Sequence, residues 1–303
     1  MQRQGVADRS LTTRDVVFLI APCINAAGRL GDPSSGVRLL LTDSADEACA
    51  LADELIEQNR ARQQLDRQVR QEAADWVQEH CDPGSDCALV AGRPSWHVGV
   101  VGIVASKLVE RFYRPAFLFS VSDDGIAKGS GRSVAGLHLL DALHECREHL
   151  ISYGGHRAAA GAKLRVENLD AFRRAFNTAV ASRLSPAMRN PVVTADAEVR
   201  LPALTRKFYD IIDRMAPFGP GNMRPVFLCR DLRHRFKPRV VGKDHLKMAV
   251  ASEGVMLDAI AFNFGERMAE IRDMDRFALA FTLDLNEWNG RTTLQMKVKG
   301  VSA

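Results

Sequence analysis

Two short stretches hold the residue types that could act on a phosphate. The first, Tyr153-Gly154-Gly155-His156-Arg157-Ala158-Ala159-Ala160-Gly161, sets two glycines before a histidine and an arginine. Paired glycines let the backbone come close to a ligand. Successive N–H groups in such a turn make an anion-binding concavity, to which His156 and Arg157 add charge-assisted donors. The second, Lys128-Gly129-Ser130-Gly131-Arg132-Ser133, ends a strand-like run and precedes the amphipathic segment 137–150. Hydroxyls, glycines and an arginine there predict a turn that feeds a helix N-terminus, where free N–H groups attract anions. The same residues also suit a plain tight turn with a solvated histidine, because short glycine motifs recur by chance.

Taken together, Ser130-Gly131-Arg132-Ser133, Gly154-Gly155-His156 and Ala159-Ala160-Gly161 resemble the DHH-associated domain of the RecJ family, exonucleases specific for single-stranded DNA. The stretches Asn25-Ala26-Ala27-Gly28-Arg29 and Trp96-His97-Val98-Gly99-Val100-Val101-Gly102-Ile103-Val104-Ala105-Ser106 resemble the same family. So do Pro217-Phe218-Gly219-Pro220-Gly221-Asn222, the run 241–247 and Asp258-Ala259-Ile260-Ala261-Phe262. The resemblance implies an α/β plus all-β fold, in which a helix-linked DHH-associated domain precedes an OB-type β-barrel. It divides the chain into a remnant of a DHH catalytic domain (1–43), a connecting helix (44–80), the DHH-associated domain (81–187) and the barrel (188–303).

The resemblance also implies 5′→3′ hydrolysis of phosphodiester bonds in single strands, in recombination and repair, with Mn²⁺ or Mg²⁺. Phosphate and DNA contacts would fall to Arg29, Ser130, Arg132, Gly154, Gly155 and His156, and in the barrel to Lys243, His245 and Lys247. Of these, His156 would lie nearest the scissile bond. A two-metal nuclease needs clustered Asp and His ligands, and in the family these precede the segment matched by 15–43. The chain has no Asp-His-His, and Asp273-Met274-Asp275 between Arg272 and Arg276 reads as a charged surface. The expectation is a chain that binds the strand without cutting it. One departure stands out: Cys23 follows Pro22 where the family usually has arginine. The partners implied are single-stranded DNA, and a separate DHH domain or other repair proteins. Two alternatives remain open here, a non-catalytic nucleic-acid-binding or partner-binding module and a tRNA-related domain like that of alanyl-tRNA synthetase.

Other elements must position these residues. Ser44 with Glu47 predicts a capping box, and Asp46 and Glu47 suit the positive end of a helix with no proline before Pro83. Ala48, Leu51, Ala52, Leu55 and Ile56 recur at helical spacing, and a thinner stripe of Leu65, Val69, Ala73, Trp76 and Val77 follows. So long and polar a helix reads as a spacer. Strands are predicted at 88–91, 115–120, 126–128 and 162–166, and helices at 99–111, 137–150 and 169–184, with Gly154-Gly155-His156 in a loop. Alternating strands and helices imply a sheet covered by helices. Beyond Pro186 and Pro191, five short strands, one helix near 206–215 and an Asn289-Gly290 hairpin turn fit a small barrel. Phe218 and Phe262 are expected in its core, with Trp288 exposed.

Composition bounds these readings. At 303 residues, with 46% apolar and 26% charged, the chain suits a soluble protein of two or three domains. No apolar run approaches the ~18 residues of a membrane span, and residues 1–14 lack the apolar core of a signal peptide, so a cytoplasmic location is expected. Six dispersed cysteines suit free thiols, and the spacing of His80, Cys81 and Cys87 fits no standard zinc pattern. The net charge of +4 is uneven. Residues 44–80 carry four arginines against nine carboxylates, whereas 230–247 hold seven Lys and Arg against Asp231 and Asp244. A basic stretch of that density either draws a phosphate backbone or forms a solvated face.

Overall fold

The computed structural model describes residues 11–82 and 85–303, apart from the side chains of Arg14 and Trp288. Of the turn that Pro83-Gly84-Ser85 predicts, the first two residues therefore lie outside the described residues, as does the Trp288 side chain, expected to be exposed. The chain divides into two compact units, Met1–Pro191 and Val192–Ala303.

The first unit opens with α1 (Thr13–Asp15), where Thr12 and Asp15 form a reciprocal capping box. A π-helical turn, Val16–Ile20, runs on into α2 (Ala21–Leu30), followed by α3 (Ser34–Leu41). Ser44 then starts α4 (Ala45–His80) by accepting the Glu47 N–H at 3.3 Å. The Glu47 carboxylate goes instead to Thr42 and Arg38, both at 2.6 Å, so only half of the expected capping box forms. At 1.5 Å per residue, α4 is about 54 Å long. It is not the bare spacer its polarity implied, because both ends are packed. Leu55 meets Cys23 and Ala27 of α2, while Val69, Ala73, Trp76 and Val77 join the core of the following sheet. Where the apolar stripe breaks, Asn59 is buried with Nδ2 3.6 Å from the Cys23 sulfur. Cys23 thus lies inside a helix pair, and burial raises its thiol pKa.

The sheet is built from β1 (Leu89–Arg93), β2 (Ala116–Val121), β3 (Ile126–Arg132), β4 (Ser152–Gly155) and β5 (Ala159–Arg165), with α5 (Val98–Phe112) between β1 and β2. Spatial order is β1-β2-β3-β5-β4; β1 and β2 are parallel and the other pairs antiparallel. α6 (Leu139–Glu145) and α7 (Leu169–Ala181) complete the unit. Alternation assigns the faces. Leu89, Ala91, Ala116 and Leu118 pack against α4 and α5, whereas Val90, Phe117, Phe119 and Ala127 pack with Phe172 and Phe176 of α7.

Two expected turns are strand. Ser130-Gly131-Arg132 belongs to β3 in the middle of the sheet, and Gly154-Gly155 ends β4, the edge strand of a hairpin with β5. The glycines of β3 serve packing. A Cβ on Gly131 would overlap the Phe117 ring, and one on Gly129 would overlap that of Phe119. The helix expected over 137–150 is shorter, because α6 ends at Glu145 and a 3₁₀ turn, Arg147–His149, follows.

The second unit contains β6 (Ala197–Glu198), α8 (Arg206–Asp213), β7 (Phe227–Val241), β8 (His245–Ser252), β9 (Val255–Phe262), α9 (Met268–Arg272), β10 (Phe277–Trp288) and β11 (Arg291–Ser302). The order β10-β11-β9-β8-β7-β6, with β10 also paired to β7, gives five strands a ring of pairings, as in an OB-type barrel. Asn289-Gly290 makes the β10–β11 turn with both φ values positive, at 50° and 72°. Among the described residues the six cysteines form no disulfide. Burial pushes the Cys146 thiol up to about 12, and those of Cys81 and Cys229 up to about 11. Among the described residues no helix is long and apolar enough to cross a membrane.

Candidate nucleic-acid interface

In the first unit the candidate residues gather where β3 ends and α5 begins. β3 presents Ser130 and Arg132 on the face opposite Phe117 and Phe119, toward Gly102 of α5. Arg132 Nη1 donates to Ser130 Oγ at 2.8 Å and to the Gly131 carbonyl at 2.7 Å. Arg29, near the end of α2, donates to the Gly99 carbonyl at 3.3 Å, in the first turn of α5. Its backbone lies so close that a Cβ on Gly99 would overlap the Arg29 carbonyl oxygen. Burial, and after it the positive charge of Arg29, pull the Arg132 guanidinium below its ordinary pKa. Among the described residues neither arginine forms an ion pair. Two uncompensated guanidiniums and a serine hydroxyl therefore converge beside the positive end of a 15-residue helix. An anion placed there relieves the repulsion between the arginines and accepts the hydrogen bonds they have to spare.

The Gly154-Gly155-His156 segment reaches the same end of the sheet. Arg132 pairs with Ala159, and the Ala159 carbonyl accepts the His156 N–H at 2.8 Å, so the β5 backbone alone stands between Arg132 and His156. Since His156 bonds to β5, the alternation of an antiparallel ladder leaves the Gly155 N–H pointing away from β5, at the open edge. Gly155 has φ +146°, and a Cβ there would come 2.5 Å from the Ala159 carbonyl oxygen, so only glycine fits. Gly99 and Gly102 adjoin these residues and lie within the helix expected at 99–111, whereas His97 falls outside those bounds. His97 caps α5, its Nδ1 accepting the Gly99 N–H at 3.0 Å. The available signal was a pair of glycines three positions apart, Gly99 and Gly102, in a helical run.

In the second unit the three nominated residues differ. Lys243 is exposed in the β7–β8 turn, and His245 accepts the Asn263 N–H at 3.3 Å. Lys247 lies 3.4 Å from the Asp258 carboxylate, so its charge is already partnered. Leu246, Met248 and Val250 are buried, which turns His245, Lys247 and Ala249 to the outer face of β8. Register then sets Phe236 beside Ala249, Arg239 beside Lys247, and Phe262 beside His245. Phe236 is 63% exposed and Phe262 48%. Phe262 is thus not in the core, because it ends β9 opposite an outward residue. Phe218 is packed against the core as expected, with Arg224 over its ring at 4.6 Å. Arg230 and Arg276 are paired with Glu198 and Asp231, whereas Arg233, Arg235, Lys237 and Arg239 make no ion pair among the described residues. Sequence reasoning recognised this basic stretch and nominated its far end.

Among the described residues no group of three or more His, Cys, Asp or Glu could hold a metal ion, so they do not fit a divalent-metal centre.

Residues 85–182 match the family profile described as the DHHA1 domain, and residues 195–300 match the RecJ OB domain. The single-stranded-DNA-specific exonuclease RecJ of Dickeya dadantii is 37% identical over 298 residues, covering 95% of this chain and 51% of that protein. RecJ from Thermus thermophilus, solved with Mg²⁺, superposes with a TM-score of 0.79 at 32% identity, over 96% of this chain and 44% of that one. Its Mn²⁺ complex gives the same TM-score and identity over 96% and 42%. The chain spans about half the length of the curated relative from Dickeya dadantii.

Proposed function

We propose, for a chain that carries the DHHA1 and OB domains of the RecJ family, that it holds single-stranded DNA by its sugar-phosphate chain. The observation that carries this reading is the pairing of Arg29 and Arg132, with no carboxylate between them, beside Ser130 at the start of α5. In the first unit these residues, with Gly155 and His156, contact phosphates near the reacting bond. In the second, Phe236 and Phe262 offer faces for bases, and Arg233, Arg239 and Lys243 offer charge for the backbone, a combination that grips single strands without reading sequence. A RecJ OB domain after residue 195 supports a DNA strand over tRNA as the ligand.

The whole enzyme, on this reading, removes nucleotides 5′→3′ in recombination and repair, with Mn²⁺ or Mg²⁺ held by a DHH domain. The exposed apolar side chains Phe18, Leu40 and Leu41 are the surface on which that domain docks. The 303-residue chain by itself is expected to bind a labelled oligonucleotide, with affinity falling as salt rises, and to release no nucleotides when Mn²⁺ is added. Metal-dependent release from the purified chain overturns the binding-only part; salt-insensitive or undetectable binding overturns the whole.

Gly102→Ala tests the placement of Arg132. The new Cβ would sit 2.9 Å from Ser130 Oγ and 3.0 Å from Arg132 Nη2. Side chains rather than backbone must give way, so the unit should fold while the guanidinium shifts. Affinity is expected to drop about fivefold, on the order of 1 kcal/mol, with an unchanged far-UV circular dichroism spectrum. Equal affinity would speak against the site.

A further inference from the structure

The barrel carries a second basic feature beside its outer face. β7 is irregular at two places, between His234 and Phe236 and between Phe236 and Arg239. In a regular strand consecutive side chains point to opposite faces. Here His234, Arg235, Phe236, Lys237 and Pro238 line one pocket of about 470 Å³ together with Arg272 and Asp273, because bulges re-aim side chains. His234 fixes α9 against the strand: Nε2–H donates to the Ile271 carbonyl at 2.8 Å, and Nδ1 is buried without a hydrogen-bond partner. Arg272 is held by Asp273 at 2.8 Å. Among the described residues Arg235 and Lys237 pair with no carboxylate, and Arg235 lies over the Phe236 ring, 5.6 Å from its centroid.

We propose that this pocket is a phosphate subsite for the single strand, in which Arg235 and Lys237 take the backbone group next to a base stacked on Phe236. The proposal rests on the reading of the barrel as a strand-binding domain. Two cations at the bulges on either side of Phe236 form a concave anion site, and the exposed ring between them suits a nucleobase better than a free anion. The Asp273 carboxylate, just after α9 and already bound to Arg272, leaves the other two cations available.

The test compares the full chain with the Arg235→Ala/Lys237→Ala double variant and with Phe262→Ala, each titrated with a fluorescent dT20 over a range of salt. Both altered cations are exposed, so folding is not at stake. The double variant is expected to bind about tenfold more weakly, with the slope of log K against log salt reduced by about 0.7, one phosphate contact on a single strand. An Arg235→Lys/Lys237→Arg variant should keep most of the affinity. If the double variant binds like the parent while Phe262→Ala binds poorly, the subsite is wrong and the barrel reading stands. If dT20 binds but neither variant weakens it, both fall. A hexaglutamate peptide that binds the parent and not the double variant, with dT20 binding untouched, would reassign the pocket to an acidic polypeptide.

Discussion

Arg132→Ala is expected to weaken binding of a single-stranded oligonucleotide by about ten- to a hundredfold, the loss of roughly 1.5–3 kcal/mol for a hydrogen bond to a charged group. The residue is half-buried at the end of β3, and burial and Arg29 together destabilise its charge in the free protein. A phosphate reverses that penalty, which makes this contact worth more than one from an exposed lysine. The log–log salt slope should fall by about 0.7, one phosphate contact on a single strand. Lysine at the same position should restore only part of the affinity, because a point charge cannot hold Ser130, the Gly131 carbonyl and a phosphate at once. An unchanged salt slope in Arg132→Ala would remove this residue from the phosphate contacts, whatever happened to affinity.

The second large effect concerns the glycines of the same strand, and it is one of stability. Gly131→Ala puts a methyl into the ring of Phe117, which is fully buried and packed against Phe119, Phe172 and Phe176 at centroid distances of 5.0, 5.8 and 6.0 Å. The ring cannot retreat from so close-packed a cluster, so the cost should be at the upper end of overpacking, about 3 kcal/mol. For a unit of this size that lowers the melting midpoint by on the order of 5–10 °C. Phe117→Leu opens space for the methyl, so combining the two should cost less than the sum of the single changes. Additive losses in thermal melts of the four proteins would show that Gly131 is not kept small by the ring. The distinction matters for function, since the sequence alone places these glycines in a phosphate-binding turn. On the structure they let β3 lie flat on an aromatic cluster, and the neighbouring Ser130 and Arg132 face the other way as a result.

The same contrast runs through the chain. The strong local signals were readable: the start of α4 at Ser44, the Asn289-Gly290 turn, and the change from alternating strands and helices to short strands after Pro191. Ser130-Gly131-Arg132 reads as a turn in sequence because strand preference is set by neighbours, and those of β3 come from β2 and β5, up to 39 residues away in sequence at Ile126–Arg165. Phe262 was misplaced for a related reason, since a phenylalanine is usually buried and only the register with His245 turns this one outward.

Residue types and spacing by themselves thus marked the neighbourhoods rich in anion-binding groups, 128–133, 153–161 and 230–247, while the resemblance to the RecJ family supplied the single strand as the expected ligand. Which cations remain available was decided by tertiary structure alone. Lys247 is lost to Asp258, whereas Arg29 and Arg132 are brought together from helices and strands a hundred residues apart with nothing acidic between them. Charge is a property of a residue, but its neutralisation depends on what the folded chain sets within a few ångströms of it.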